Sequence, residues 1–254
     1  VGVLALFGGR VAIQDLRASD IHVALTSVAS PAEPPSAFSL SPPIDLIVER
    51  LRSDRAAVTR DGQPLQTIDH AELSGAWSGW GVVLRQLEVK AVDGQINLSG
   101  TLANQTGYPG QADGWFNWRL GDITLSGTVN ARGERGQTRL QLDLDQPSQT
   151  RINATIGQSA ELPWTLAVEI PAFPAQRVFT DSMLGDLSLQ LHGSGDRRHA
   201  NVDGLLGIGA HSVALEPLRV ALADKALNIE QLQISIPGTP GRLLVSGTLD
   251  LTTN

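Results

Sequence analysis

The side chains that could do chemistry in this sequence are few. Asp143 and Asp145 share the polar side of one predicted strand, and a pair of carboxylates can hydrolyse a glycoside. No loop of alternating acids with its glycine surrounds them, as a calcium site would require. We interpret the pair as part of a solvated face, and a carbohydrate-active site remains the alternative.

The other candidate motifs lack the spacing that their chemistry needs. No two histidines have the close spacing of metal ligands; they are His22, His70, His192, His199 and His211. Gly204, Gly207 and Gly209 precede Ser212, where a dinucleotide-binding loop has glycine. The triplet Gly193-Ser194-Gly195 is not a nucleophile elbow. We therefore predict no metal, no cofactor and no enzymatic activity.

Composition excludes further classes. The 254 residues carry 26 acids and 19 bases, a net charge of −7, which disfavours nucleic acid as a partner. The chain has no cysteine, which excludes disulfides and thiolate metal sites. Apolar residues make up 41% of the chain and aromatic residues only 4%, so the apolar content is aliphatic.

The start of the chain suggests a piece of a longer protein. It does not begin with Met, and residues 1–7 are apolar but too short to cross a membrane. No later stretch reaches the roughly 18 apolar residues of a membrane helix. We expect any membrane anchor to lie outside this fragment.

The dominant pattern has period two, which predicts antiparallel strands with one apolar and one polar face. Asp93-Gly94 and Gly121-Asp122 separate alternating runs and predict hairpin turns, the first with the positive φ of a type I′ turn. Residues 237–241 predict a third turn. Residues 44–51 fit both a helix and a strand, and we favour a strand because strands surround them.

A short motif repeats along the chain. Leu98-Ser-Gly-Thr-Leu returns at Leu125–Val129 and Val245–Leu249, with looser copies at residues 73–75 and 191–193. The period near 27 residues is about one hairpin, which predicts an array whose units contact mainly their neighbours. The central glycine falls on the apolar face each time, and we predict a bend there.

This pattern sets the predicted organisation. Residues 1–30 hold N-terminal strands, and residues 31–43 form a Pro/Ser-rich loop. Residues 44–254 form one continuous repetitive β-domain. A turn or two of helix is possible between Pro174 and Leu184. Alternation alone does not distinguish a sandwich, a barrel and an open groove.

The order of the motifs resembles a known family. The segments are Leu73–Trp80, Leu84–Val89, Ile96–Leu102, and Trp115–Trp118 after Tyr108-Pro109. They are similar to the N-terminal half of the TamB-like proteins of the AsmA-like family, the translocation and assembly module proteins.

The resemblance implies properties that composition does not show. It implies an elongated, curled antiparallel sheet with an open groove and an apolar interior. It implies a periplasmic protein anchored in the inner membrane of a Gram-negative bacterium. It also implies phospholipid as cargo and an outer-membrane barrel-assembly protein as a partner, through regions absent from this fragment.

We therefore predict that the chain is a bridge segment conducting phospholipid between the two membranes, with acyl chains lying on its inward apolar rows. The predicted lining is Leu87, Val89, Ile96, Leu98, Leu102, Ile123, Leu125, Leu140, Leu142, Leu144, Ile152, Ile156, Leu166, Val168, Leu187, Leu189, Leu191, Ile234, Ile236, Val245 and Leu249. For any single residue, an ordinary core position is the simpler interpretation.

Other functions stay open at this point. The chain could be a structural or chaperone-like scaffold that holds outer-membrane polypeptides by strand addition, without lipid passage. A carbohydrate-active enzyme would use Asp143 and Asp145. An ordinary two-sheet sandwich is the remaining possibility.

Overall fold

The computed structural model describes residues 9–25, 42–61, 63–174, 185–223 and 226–250, without the side chains of 64–65, 222–223, 226–227 and 249–250. The described residues form sixteen strands and no helix. The strands are β1 Arg10–Ile13, β2 Leu16–Leu25, β3 Asp45–Arg60, β4 Gln63–Ser78, β5 Gly81–Ala91, β6 Gly94–Ala103, β7 Gly110–Leu120, β8 Ile123–Glu134, β9 Gln137–Gln146, β10 Thr150–Gly157, β11 Trp164–Phe173, β12 Leu187–Gly195, β13 His199–Ile208, β14 His211–Ala223, β15 Ala226–Ser235 and β16 Arg242–Asp250.

The strand order is that of an open sheet. From β3 to β16 each strand is hydrogen-bonded to the next one in sequence, and β1 and β2 both pair with β3. The predicted all-β class with an open antiparallel sheet is confirmed. The strand predicted at residues 44–51 is also confirmed, because β3 covers Asp45–Arg60.

The chain divides into two compact units. The first holds residues 1–124 and 130–135, and the second holds residues 125–129 and 136–254. The single continuous domain over residues 44–254 stays a prediction. The possible helix within Pro174–Leu184 and most of the loop at 31–43 lie outside the described residues.

The N-terminal strands depart from the antiparallel pattern. Both β1 and β2 run parallel to β3. Asp20 and Arg55 lie side by side at this edge with φ angles of 56° and 58°, in the left-handed region. Arg55 Nε and Nη2 donate to the two Asp20 carboxylate oxygens at 2.7 and 2.9 Å. This bidentate pair joins the two strands where both backbones leave the extended conformation.

The predicted hairpins form, but one turn differs from the prediction. Gly121, with φ 61°, opens the two-residue turn between β7 and β8, and Gly238, with φ 83°, lies in the β15–β16 loop. In the β5–β6 hairpin the turn residues are Val92 and Asp93, one position earlier than predicted. Gly94 is instead the first residue of β6, opposite Trp118, and a Cβ on it would lie 2.7 Å from the Trp118 Cα. Its missing side chain permits this close approach, so a positive φ is not needed.

Three of the repeated glycines coincide with β-bulges. Gly75 pairs with Val48 while Leu73 pairs with Leu51, so two residues of β3 face one residue of β4. The same two-against-one pairing occurs beside Gly100, where Arg85-Gln86 of β5 face Ser99, and beside Gly247, where Glu230-Gln231 of β15 face Ser246. Bulges bend and twist a strand, so these three positions are where the bend predicted from the repeat would arise; the bend itself stays a prediction.

The next strand closes on the glycine from the other side. A Cβ on Gly75 would lie 2.5 Å from the Val83 carbonyl oxygen of β5. On Gly100 and Gly127 a Cβ would meet the carbonyls of Gln111 and Asp143 still more closely. Gly247 lies in β16 and has nothing within 4 Å. The requirement for glycine therefore comes from the following strand.

This comparison gives a stability prediction. Gly100→Ala should lower the free energy of unfolding by about 1–3 kcal/mol, because the added methyl forces the β7 backbone away. Gly247→Ala lies in the same motif, where an added Cβ meets no described atom within 4 Å, and should change it by less than about 0.5 kcal/mol. Urea titration followed by circular dichroism measures both. Equal losses would show that the glycines matter only for strand propensity.

Candidate functional site: an accessible apolar face

In the second unit, one face of the sheet is almost entirely apolar. Cross-strand partners place Leu142, Ile152, Val168 and Leu191 in a single row from β9 to β12. Parallel rows add Leu140, Leu144, Ile156, Leu166, Leu187 and Leu189. Across β15 and β16, Leu232 pairs with Val245 and Ile234 with Leu243. The predicted lining residues of this unit therefore share one face, apart from the exceptions below.

Three predicted residues need separate mention. Ile236 lies beyond the end of β15, in the loop before β16, and is 51% exposed, so it falls outside the cross-strand rows and its lining role stays a prediction. Leu249 pairs with Leu227, but its side chain is not among those described. Leu125 alternates with Gly127 along β8 and so shares the face on which Gly127 approaches the Leu144 backbone.

The first unit has an apolar face of its own. Leu87, Val89, Leu98 and Ile96 form adjacent cross-strand pairs on β5 and β6, and Leu102 pairs with Val82. Ile123 is the half-buried first residue of β8. On β3 to β5, the apolar face encloses a hollow of about 130 Å³ with an almost wholly apolar lining, which includes Leu46, Val48, Leu73, Trp77, Val82 and Leu84.

The sequence analysis missed part of the apolar face of the second unit. Val202, Leu206, Val213, Leu215, Leu218 and Val220 on β13 and β14 continue the rows of β12. Trp164, two residues before Leu166 on β11, also lies on the apolar face, opposite Gly195. A spacing of three between Leu215 and Leu218 breaks the alternation, and it marks a shift of register between β14 and β15. That irregular spacing is the signal that could have revealed them.

The apolar faces are accessible rather than sealed. Among the described side chains, Val48 and Ala56 are the only buried hydrophobic residues, at 7% and 8% exposure. None of the predicted lining side chains that are described is buried, and Leu140 is 37% exposed. A closed core of this size would contain many fully buried side chains. Each unit therefore presents an apolar surface that a ligand can reach.

The opposite face carries polar side chains that pair with one another, beside a few exposed apolar ones such as Val83, Trp115, Leu205 and Leu244. In the first unit Glu72 bonds Arg52 at 3.0 Å, and Asp54 bonds His70 at 2.8 Å. In the second unit Arg151 Nε donates to Asp143 at 3.1 Å. Exposed ion pairs of this kind add little stability, but they keep this face hydrated.

The structure also places the acids, histidines and tryptophans that the sequence analysis considered. Asp143 and Asp145 border a polar hollow of about 360 Å³ with Glu169, and Arg151 pairs with Asp143 there. No group of histidines and acids with metal-site geometry occurs in the described part of the chain. Trp77 lies on the apolar face, whereas Trp80 at the β4–β5 turn is 85% exposed. The described residues include no helix that could span a membrane.

A fixed turn ends the second unit's apolar face. Trp164 Nε1 donates to the Asp196 carbonyl at 3.2 Å, between β12 and β13. The Asp196 carboxylate accepts the backbone N–H groups of Arg198 and His199 at 2.7 and 2.9 Å. These two bonds, first that from Arg198, lower the pKa of Asp196 below its usual range.

Fold and site together define a class of protein. It is an all-β scaffold whose long strands carry an accessible apolar face in each unit and a hydrated face behind it. Comparison with known families identifies the chain more closely. The family model described as TamB, N-terminal domain, matches residues 26–254, so the chain belongs to the TamB family. TamB proteins belong to the bacterial cell envelope. No curated protein and no solved structure matches the chain.

Access to the apolar face is testable because the chain has no cysteine of its own. Leu140→Cys should react with a water-soluble maleimide nearly as fast as Gln141→Cys on the exposed polar face. Val48→Cys should react at least about tenfold more slowly, because labelling there requires local opening. Protection of Leu140→Cys equal to that of Val48→Cys would mean that the face is sealed.

The Asp196 turn should respond to acid. A depressed carboxyl pKa adds stability that is complete above the unfolded-state pKa and is lost as the pH falls through the folded-state pKa. The amide NMR signals of Arg198 and His199 should therefore hold their positions at pH values where a free aspartate is already protonated. The same signals in Asp196→Asn should not titrate with this group. A transition at the pH of an unstructured aspartate would contradict the assignment.

Proposed function

We propose that this chain is a segment of a periplasmic bridge that conducts phospholipid between the inner and outer membranes and so supports outer-membrane assembly. The parent protein would be anchored in the inner membrane and would meet a barrel-assembly partner at the outer membrane. The observation that carries the proposal is the accessible aliphatic face in each unit. Membership of an envelope family supports it.

The chemistry of the face suits acyl chains. Shielding one methylene from water is worth about 0.8 kcal/mol, so a dozen methylenes gain on the order of 10 kcal/mol. Little of this gain depends on position, because one methylene resembles the next. A lipid held in this way can slide along a row such as Leu142, Ile152 and Val168. The proposal assigns no catalytic step to any residue.

A photo-crosslinking residue at position 142 or 141 tests lipid occupancy. The chain would be joined to a membrane anchor and directed to the periplasm, and phospholipid adducts would be counted. We expect adducts from position 142, on the apolar face, and none from position 141, on the polar face. Absence of lipid at both positions would refute the proposal.

Lipid transport is tested by placing a charge on the apolar face. Leu189→Asp places an unpaired charge on the apolar face and should abolish lipid movement between the membranes in cells. Gln190→Asp adds the same charge to the polar face of β12 and should leave it intact. Circular dichroism checks that both variants fold. A folded Leu189→Asp protein that still supports lipid movement would contradict the proposal.

One observation favours the scaffold function as a second candidate. In the described chain β16 pairs only with β15, and Leu243, Leu244 and Val245 are exposed. Such an edge can accept an added strand from an unfolded polypeptide. Peptide adducts from a crosslinker in β16, without lipid adducts from position 142, would select this function.

A further inference from the structure

Two adjacent arginines at one end of the second unit have no role in the apolar face. Arg197 and Arg198 follow Asp196 in the turn between β12 and β13, and both are exposed. Neither side chain forms an ion pair in the described part of the chain. The Asp196 carboxylate already accepts the N–H groups of Arg198 and His199. Both guanidinium groups are therefore available for an external anion.

The turn is fixed to the edge of the apolar face. The Trp164 ring lies beside Gly193 and Gly195, since Cβ atoms built there would be 3.0 and 2.9 Å from its carbons. Its N–H holds the Asp196 carbonyl, and the Arg197 N–H donates to the Glu161 carbonyl at 3.0 Å. These bonds join two neighbouring connections, so the arginines stand where the aliphatic rows end. Leu162, in the same connection as Glu161, is 42% exposed.

The opposite ends of this unit's strands carry a different charge. Asp145 and Asp186 are exposed there; of the described arginines at this end, Arg151 is paired with Asp143 and Arg242 is exposed. At the Trp164 end, Glu161 is exposed and makes no described ion pair, while Asp196 is engaged by the backbone. A negatively charged group beside the apolar face is therefore favoured at the arginine end.

We propose that Arg197 and Arg198 bind the phosphate of a phospholipid whose acyl chains lie on the apolar face beside Trp164. Guanidinium groups bind phosphate through paired, charge-assisted hydrogen bonds. Tryptophan suits the boundary between acyl chains and head group, because its ring is apolar and its N–H is polar. The inference rests on the proposed function, and it adds a head-group position and a preference for lipids that carry phosphate.

The test compares two lipids with identical acyl chains, phosphatidylglycerol and diacylglycerol, presented to the full chain in mixed detergent micelles. The unaltered protein should bind phosphatidylglycerol about tenfold more tightly. In the double variant Arg197→Gln, Arg198→Gln this preference should disappear, while diacylglycerol affinity stays unchanged. The control variant Arg219→Gln, Arg242→Gln removes the same charge elsewhere in the unit and should keep the preference.

The outcomes separate the inference from the proposed function. Binding of neither lipid to the unaltered protein would refute lipid binding altogether. Equal binding of both lipids would refute the arginine site alone, and so would equal losses in the two double variants. Displacement of phosphatidylglycerol by millimolar inorganic phosphate would show a site for free phosphate, which also overturns the inference. The variant Arg197→Lys, Arg198→Lys keeps the charge without the paired donors and should retain only part of the preference, which provides a second check if the glutamine variant does not fold.

Discussion

The structure depends on one constraint: long strands must support an apolar face that stays open to water. In the described residues only Val48 and Ala56 are buried hydrophobic side chains, so no large core holds either unit together. Backbone ladders between sequential neighbours and half-burial of aliphatic side chains take that role. The glycines at positions 75, 100 and 127 allow the backbone of the following strand to approach closely, which an added Cβ would prevent.

The β-bulges explain why the hydrophobic pattern fitted both a helix and a strand. Ile47, Val48 and Leu51 have helical spacing, yet they lie in β3. The step of three from Val48 to Leu51 is the bulge opposite Ser74, where two residues face one. The steps from Leu84 to Leu87 and from Ile229 to Leu232 have the same origin. A change in the phase of a period-two pattern is therefore a bulge signal in this chain.

Other features could not be predicted from alternation. The strands, the hairpins and most lining residues follow from local pattern, because side chains alternate between faces. The parallel pairing of β1 and β2 with β3 depends on partners distant in sequence. Gly94 carries a turn signature, but its proximity to Trp118 places it in a strand. The bond from Trp164 to Asp196 joins residues 32 positions apart, which no periodicity records.

There is a physical reason why affinity comes from the apolar faces and directional contacts come from the turns at the strand ends. An aliphatic surface gives affinity with little positional preference, since dispersion and hydration terms vary smoothly along it. Fixing a ligand's position and selecting between ligands need directional hydrogen-bonding groups. On the apolar face of the first unit, the polar atom Ser53 Oγ is buried and has no described hydrogen bond. Directional groups are instead fixed in the turns, as in the backbone bonds to Asp196 beside Trp164. Under the proposed function, a turn is therefore where this fold would recognise a head group, while the apolar face would leave the acyl chain free to move.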